Sequence, residues 1–253
     1  MNLFPLSVVV LTKNEALSIA RCLTSVAWCD DIILFDDSED ETVSVAKKSI
    51  PKSQLRVVKT SDNSNFAQLR NDALLLVRNE WVLFLDGDEE VPGNLQKEIR
   101  TKLGFTKYSG FYLKRNDHFL GTWLKWGETG TIQLLKLGKK SAGVWRRRVH
   151  EVWDIKRTTS MLQMPLHHYP HPSVAEFVSH INRWTTLDAQ EFFENGNRSS
   201  FWKIVVYPIG KFVQNYLFRR GFRDGMPGLL LAILMSFHSF LTRAKLYLLQ
   251  TNS

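Results

Sequence analysis

The stretch Trp81-Val82-Leu83-Phe84-Leu85-Asp86-Gly87-Asp88-Glu89-Glu90-Val91-Pro92 joins two kinds of chemistry in one short run. Its first half is an uninterrupted apolar segment with the length and flanks of a central parallel strand. Its second half places four carboxylates, Asp86, Asp88, Glu89 and Glu90, around a single glycine. Carboxylates at the carboxyl end of a buried strand stand where open α/β sheets bind ligands. They repel one another, so the cluster calls for a cation or for solvent. Closely spaced oxygen donors suit Mg²⁺ or Mn²⁺, above all where substrate phosphates complete the shell. The competing reading is a solvated acidic turn ahead of a helix that opens at Pro92.

Upstream, the same strand-then-polar pattern recurs. Leu6 to Leu11, Ile32 to Phe35 and Leu55 to Val58 read as strands. Between them, Ile19, Ala20, Leu23, Val26 and Ala27 recur at helical spacing. Val43 and Ala46 begin a second helix behind a Ser38/Glu41 capping box, and Phe66 to Val77 reads as a third, carrying Arg70, Asn71 and Asp72. Strands alternating with helices predict a doubly wound sheet with right-handed crossovers. Polar residues collect at three strand ends, Thr12 to Glu15, Asp36 to Asp40 and Asp86 to Glu90, which this architecture gathers on one edge. No GxGxxG or Walker A pattern occurs, which argues against a dinucleotide oxidoreductase or a P-loop NTPase.

The chain has 253 residues, enough for one α/β domain with an extension or for two small domains. A net charge of +8 implies an anionic partner: a nucleotide, a nucleic acid or a membrane surface. Two cysteines, Cys22 and Cys29, support neither a disulfide framework nor a zinc site, and fit a reducing compartment. The N-terminal apolar run lacks a basic flank and a cleavage site and reads as a first strand, not a signal peptide.

Downstream, a helix is expected from Pro92 to Leu103, with further strands at Phe111 to Arg115 and Thr131 to Leu137. The loop Phe119 to Gly127 is rich in aromatics and glycine, as sugar platforms are, or as a loop packed on a core is. Arg146-Arg147-Arg148-Val149-His150-Glu151 is not a core pattern. His167, His168 and His171 lie within five residues and read either as metal ligands or as structural histidines. Ser173 with Glu176 forms a capping box, after which Val174, Phe177, Val178, Ile181 and Trp184 line a helical face. From Phe201 onward, seven basic residues stand against Asp224 alone, interleaved with aromatics and aliphatics. Met226 to Leu241 is apolar but broken by Pro227, Gly228, Ser236, His238 and Ser239, which makes it short and polar for a membrane span. Basic residues beside apolar faces suit a helix in the membrane interface; a helical mini-domain packed on the first domain, or on a second subunit of an oligomer, is the alternative.

These residues resemble a known family. Ser7-Val8-Val9-Val10-Leu11-Thr12-Lys13-Asn14-Glu15, Phe35-Asp36-Asp37-Ser38-Glu39-Asp40-Glu41-Thr42 and Leu85-Asp86-Gly87-Asp88-Glu89 are similar to the family 2 glycosyltransferases, which have the GT-A fold and use nucleotide-sugar donors. Val149-His150-Glu151, His168-Tyr169, Phe177 through Trp184 and Gly221-Phe222-Arg223-Asp224-Gly225 look like the bacterial branch that adds a hexose to the lipopolysaccharide inner core, the β-1,4-glucosyltransferase-like group. The resemblance implies a mostly parallel α/β GT-A domain over residues 1–172 and a helical, membrane-associating region over 173–253. It implies that Thr12, Asn14 and Glu15 border the base, that Asp37 contacts the nucleoside, and that Arg70 faces the nucleotide. Asp86 and Asp88 match the DxD motif, with Asp88 ligating a divalent metal (Mg²⁺ or Mn²⁺) and Asp86 nearer the ribose. Glu151 is the candidate general base and His168 a further metal ligand. Arg146, Arg147 and Arg148 are candidates for acceptor phosphates, since guanidinium groups pair with phosphate bidentately.

The expected activity is inverting transfer of a hexose, glucose from UDP-glucose, to a lipopolysaccharide inner-core or other envelope glycolipid acceptor. The implied place is the inner face of the cytoplasmic membrane, with no nucleic-acid partner. Two alternatives compete. A non-catalytic basic module that binds membrane or nucleic acid gains nothing from four carboxylates at one strand end. A nucleotidyltransferase wants a glycine-rich phosphate loop after the first strand, which Thr12-Lys13-Asn14-Glu15 does not supply.

Overall fold

The computed structural model describes residues 3–60, 65–104, 106–147, 151–170 and 173–251. In chain order the first elements are β1 (Phe4–Thr12), α1 (Ile19–Ser25), β2 (Cys29–Asp36), α2 (Thr42–Ser49), β3 (Leu55–Lys59), α3 (Phe66–Leu76), β4 (Trp81–Asp86), β5 (Glu89–Glu90) and α4 (Gly93–Gly104). Then come β6 (Gly110–Phe119), β7 (Thr122–Trp123), β8 (Gln133–Lys139), β9 (Gly143–Arg146), β10 (Val152–Ile155), β11 (Thr159–Met161) and β12 (Leu166–His168). Helices α5 (Val174–Glu194), α6 (Phe201–Val213) and α7 (Gly225–Thr251) complete the chain.

The main sheet runs β3-β2-β1-β4-β8-β6-β12-β5. Its first four strands are parallel, and β8 lies antiparallel to both neighbours. After β3 the chain returns to lay β4 on the other side of β1, so the strand order reverses between β1 and β4. In open α/β sheets the carboxyl ends of strands at such a reversal are where ligands bind. This is the GT-A architecture, a mostly parallel sheet flanked by helices, with a C-terminal helical extension.

Strand alternation builds two cores. Val8, Val10, Leu83 and Leu85 face α1, α2 and α4 through Leu23, Ala46, Leu95 and Ile99. Val9, Leu11 and Phe84 face Ala67 and Ala73 of α3 together with Trp145 and Trp153. Those two indoles come from the β9–β10 hairpin. They stack 5.2 Å apart, and Phe84 meets them edge-on at 5.0 and 5.2 Å. Asn71 fixes the hairpin to α3 by donating to the Trp145 carbonyl (3.0 Å) and accepting from its N–H (2.8 Å). Both cysteines are free and buried, and burial pushes both thiols up.

Some expected details differ. Ser38 does not cap α2. Its hydroxyl accepts from the Asn14 N–H (2.7 Å), and α2 starts at Thr42 without a side-chain cap. Thr131 falls in a short 3₁₀ turn ahead of β8.

Contacts divide the chain into two units, Met1–Arg115 with Gln133–Tyr169, and Asn116–Ile132 with Pro170–Ser253. In the second unit, Ser173 caps α5 by accepting from Glu176 N (3.2 Å). Phe119 and Leu124, from the aromatic loop, share a core with Phe177, Ile181, Leu231 and Leu234. Asp224 accepts from the N–H groups of Lys125 and Trp126 at 3.1 and 2.8 Å, and Arg223 lies 4.7 Å from the Trp126 ring. A side chain at Gly228 would meet the Gly221 carbonyl at 2.0 Å. The Gly221–Gly225 stretch therefore latches this unit's loop to its last helix.

The final helix is longer than the apolar stretch Met226 to Leu241 suggests: α7 runs unbroken for 27 residues. Pro227 sits in its first turn, where no intrahelical N–H is required. Ser236 donates to the Pro208 carbonyl (2.8 Å), and His238 lies 3.5 Å from Asp188. The polar residues are thus used in packing. By length and composition Gly221–Thr251 is long and apolar enough to cross a membrane, and a third of its apolar window is buried. Helix α6 has no buried residue; Phe201 is 68% and Trp202 72% exposed.

Candidate functional site

At the sheet's reversal edge, β4's turn lies on β1's. The Gly87 N–H donates to the Leu11 carbonyl (3.0 Å), and a Cβ on Gly87 would stand 3.0 Å from both Thr12 Oγ1 and Glu15 Cγ. Glycine lets the two turns approach this closely. The ends of β1 and β2 are knitted in the same way. Asn14, at φ 58°, accepts from the Glu39 N–H (3.0 Å). Glu15 N–H donates to Thr42 Oγ1 (2.8 Å), and Lys13 pairs with Asp37 at 2.5 Å. Thr12, Asn14, Glu15 and Asp37 therefore share one loop network beside the acidic turn.

The turn itself is organised by β12. It pairs antiparallel with β5, setting His168 opposite Glu89, and Tyr169 N–H donates to the Asp88 carbonyl (3.0 Å). This brings His168 Nε2 within 3.2 Å of Asp88 Oδ2. Burial opposes ionisation of Asp88, but the His168 charge and hydrogen bond outweigh it and hold the carboxyl below its usual range. Adjacent strand residues face opposite ways, and His167 lies 4.0 Å from Glu90 instead. Tyr169 donates to Glu90 (2.8 Å); burial and that bond push its phenol up to about 12. His171 lies outside the described residues, as do Arg148, Val149 and His150.

Two cations built into the fold offset the carboxylates. Lys136, on β8 and 4% exposed, reaches Asp86 Oδ2 at 2.7 Å and Glu89 Oε2 at 2.5 Å. Arg70, on α3 and 5% exposed, bonds Glu151 Oε1 through Nε (2.9 Å) and Nη2 (2.6 Å), and Asp86 Oδ1 through Nη2 (3.3 Å). The result is an alternating chain, Glu89–Lys136–Asp86–Arg70–Glu151. Burial works against the charge on Asp86, yet the Lys136 and Arg70 charges pull its carboxyl well below the usual range. Glu89 is raised, by burial and by Asp86, with Lys136 opposing. The cation or solvent that the cluster calls for is supplied at Asp86 and Glu89 by the protein's own Lys136 and Arg70.

Lys136 is the site residue the pattern reading missed. Its signal was there, because a lysine inside Leu134-Leu135-Lys136-Leu137 is almost never buried unpaired. Of the arginine run, Arg146 pairs with Asp154 across the hairpin (2.7 Å), and Arg147 follows at φ 71°.

The donor set suits a divalent cation. Asp88 and His168 stand apart by about the spacing of adjacent ligands that each lie roughly 2.1 Å from an ion. Among the described residues no group of three such donors converges, so further ligands would come from a substrate's oxygens. Thr12 Oγ1 and Arg70 Nη1, both buried at this edge, have no hydrogen-bond partner among the described residues. Such groups are expensive to bury unpaired unless a ligand satisfies them.

Comparison with known proteins places the chain in a family. An uncharacterized glycosyltransferase of Rickettsia conorii is 25% identical over 95% of this chain and 89% of its own. The lipopolysaccharide core biosynthesis glycosyltransferase LpsC of Rhizobium meliloti is 26% identical over 96% of this chain and 92% of its own. Among solved structures, S. aureus TarS residues 1–349 in complex with UDP-GlcNAc superposes with a TM-score of 0.56, at 16% identity, covering 99% of this chain and 93% of that one. The mannosyltransferase PcManGT of Pyrobaculum calidifontis, in complex with GDP-Man and Mn²⁺, gives 0.51 at 14% identity, covering 98% and 75%. The model of the family described as "Glycosyl transferase family 2" matches residues 7–165, well over half of the chain. The chain belongs to glycosyl transferase family 2.

Proposed function

We propose that this glycosyltransferase moves a hexose, with inversion, from a UDP-sugar, UDP-glucose, to the inner core of lipopolysaccharide or a related envelope glycolipid. The observation that carries the reading is the Asp88–His168 pair at the sheet's reversal point, beside an edge already lined by Thr12, Asn14, Glu15 and Asp37. The name of LpsC supports the acceptor class, and the sugar nucleotides in the TarS and PcManGT complexes support the donor class.

In this reading Asp88 and His168 hold Mg²⁺ or Mn²⁺ together with the donor's diphosphate. The bound ion supplies offset for the charge that grows on the departing nucleotide. Asp37 and the loop from Thr12 to Glu15 take the nucleoside, with Asp86 nearest the ribose. Glu151 receives the acceptor hydroxyl's proton as that oxygen attacks from the face opposite the leaving group. Both Arg70 bonds fall on its Oε1, so Oε2 is the oxygen assigned to the proton. Arg146, Arg147 and Arg148 are assigned to acceptor phosphates.

Residues 173–253 are assigned to the membrane surface. Helix α6 presents Phe201, Trp202, Val206 and Ile209 to solvent beside Lys203, and the following turn adds Arg219 and Arg220. An apolar face with basic neighbours fits peripheral binding at the anionic inner face of the cytoplasmic membrane.

A thermal-shift panel of UDP, GDP, CMP and dTDP, each with Mn²⁺ and with EDTA, tests the donor assignment. A ligand selective for the native state raises the melting temperature by mass action. Stabilisation by UDP that needs Mn²⁺ is expected. A shift with another nucleotide alone overturns UDP, and a shift indifferent to EDTA overturns the metal.

A further inference from the structure

Three carboxylates lie within the four-residue turn Asp86 to Glu89, an arrangement that ordinarily attracts a metal ion by itself. Here two of the three are already engaged. The ammonium of Lys136 lies between Asp86 Oδ2 (2.7 Å) and Glu89 Oε2 (2.5 Å). Glu89 Oε2 also accepts from the Asp86 N–H (2.9 Å), which locks the turn around the ammonium. The other Asp86 oxygen faces Arg70 at 3.3 Å. Lys136 is 4% exposed and Glu89 fully buried, so the ammonium meets Glu89 away from solvent, while the Asp86 side chain keeps 38% of its surface open. Asp88, pointing away toward His168, is the one carboxylate of the three that neither cation touches directly.

We propose that Lys136 is a positioning residue that occupies the place of a second cation. It keeps Asp86 and Glu89 from joining Asp88 in a three-carboxylate trap, so that Asp88 and His168 alone take an ion, and take it with the diphosphate. The inference deepens the nucleotide-sugar reading of the same edge and rests on it for the identity of the diphosphate. A free protein built this way has little affinity for a bare divalent ion. The cation is then selected as part of the nucleotide complex, which couples metal loading to the presence of donor.

The side chain's position on β8 explains how the device is held. Leu135 and Leu137 flank Lys136 and are buried, and β8 hydrogen-bonds to β4, the strand that delivers Asp86. The ammonium therefore enters the acidic turn from the neighbouring strand on a rigid sheet, not from a loop. A metal ion in the same place would be exchangeable; a lysine is not.

The test is Mn²⁺ binding to the full chain by calorimetry and by the Mn²⁺ spin-resonance signal, without and with UDP. Wild type is expected to bind Mn²⁺ weakly alone and one ion per chain with UDP. Lys136→Met is expected to bind Mn²⁺ alone at least tenfold more tightly, and to gain thermal stability from Mn²⁺ where wild type gains none. Lys136→Gln, which keeps a hydrogen-bond donor, serves if the methionine variant fails to fold and is expected to show the same gain. Lys136→Arg is expected to behave as wild type. Unchanged affinity for bare Mn²⁺ in the folded methionine or glutamine variant overturns the proposal. The functional reading fails separately, if UDP does not promote Mn²⁺ binding in wild type; the bare-ion comparison between wild type and variant still decides the role of Lys136.

Discussion

His168 Nε2 stands 3.2 Å from Asp88 Oδ2, although the two residues belong to distant parts of the chain. The contact is made by strand pairing: β12 lies along β5, and the register that sets His168 against Glu89 turns its ring toward Asp88. A carboxylate and an imidazole placed in this way by backbone hydrogen bonds are pre-positioned: for both to take one ion, the proton between them has to leave while the backbone stays as it is.

Asp88→Asn is expected to lower kcat/KM for sugar transfer by on the order of 10²–10³, the usual cost of losing one group that stabilises developing charge. His168→Ala is expected to cost less and to raise the Mn²⁺ concentration needed for half-maximal rate. Melting temperature without ligand should change little for Asp88→Asn, because asparagine keeps an oxygen for the His168 contact. Full activity of either variant at limiting Mn²⁺ removes that residue from the metal assignment.

Glu151→Gln separates base from scaffold. Glutamine keeps a carbonyl for Arg70 but cannot take a proton. A fall in kcat of about 10²–10⁴ with unchanged UDP affinity is expected for a general base. Weaker UDP binding at unchanged kcat would instead show that Glu151 serves to hold Arg70.

Asp31 gives the fold a pH dependence remote from the reversal edge. Its carboxylate is 1% exposed and accepts from Ser7 Oγ (2.6 Å), Arg56 (2.6 Å) and the Arg78 N–H (2.9 Å). Burial alone would raise its pKa; the hydrogen bonds and the Arg56 charge more than offset this and hold it below the usual value. A depressed native pKa contributes stability that is present above the unfolded value, about 3.9, and is lost as pH falls through the native one. Asp31→Asn should therefore destabilise the protein by about 1–3 kcal/mol at neutral pH. In urea titrations that difference should shrink below about pH 4. A difference independent of pH would assign the effect to packing.

Helix α6 offers a test of the membrane assignment that spares the core. Trp202 and Ile209 are exposed, at 72% and 60%, so Trp202→Glu with Ile209→Glu should fold normally. Flotation with vesicles of mixed zwitterionic and anionic lipid should fall for this variant, and for wild type at high salt, since each basic residue near an anionic surface contributes on the order of 1 kcal/mol. Equal flotation of variant and wild type would move the assignment away from α6.

Much of this was legible beforehand because it depends on local pattern. The four parallel strands announce themselves as apolar runs, and the polar residues that follow Leu11, Phe35 and Leu85 mark the edge they share. Asp88 could be named from its own neighbourhood. Lys136 and Arg70 were harder, because their meaning lies in partners tens of residues away, and nothing local says that both reach Asp86. The final helix reads as short and polar for a membrane span, yet Gly221–Thr251 is long and apolar enough for one. Its serines and histidine looked like interruptions, and only α5 and α6 packed beside it give them partners. Trp145 and Trp153 carried no reading of their own, since nothing local says that two indoles eight residues apart will stack.

The stacked pair has a practical result. The Arg70 guanidinium lies 4.8 Å from the Trp145 ring while also holding Asp86 and Glu151. Any molecule that draws Arg70 or Asp86 into a new contact changes the electric field at that indole. Tryptophan emission is sensitive to such a field, so the protein carries a built-in optical reporter of its own occupancy. Donor binding could be followed in real time on the unlabelled chain, with Trp145→Phe as the silent control.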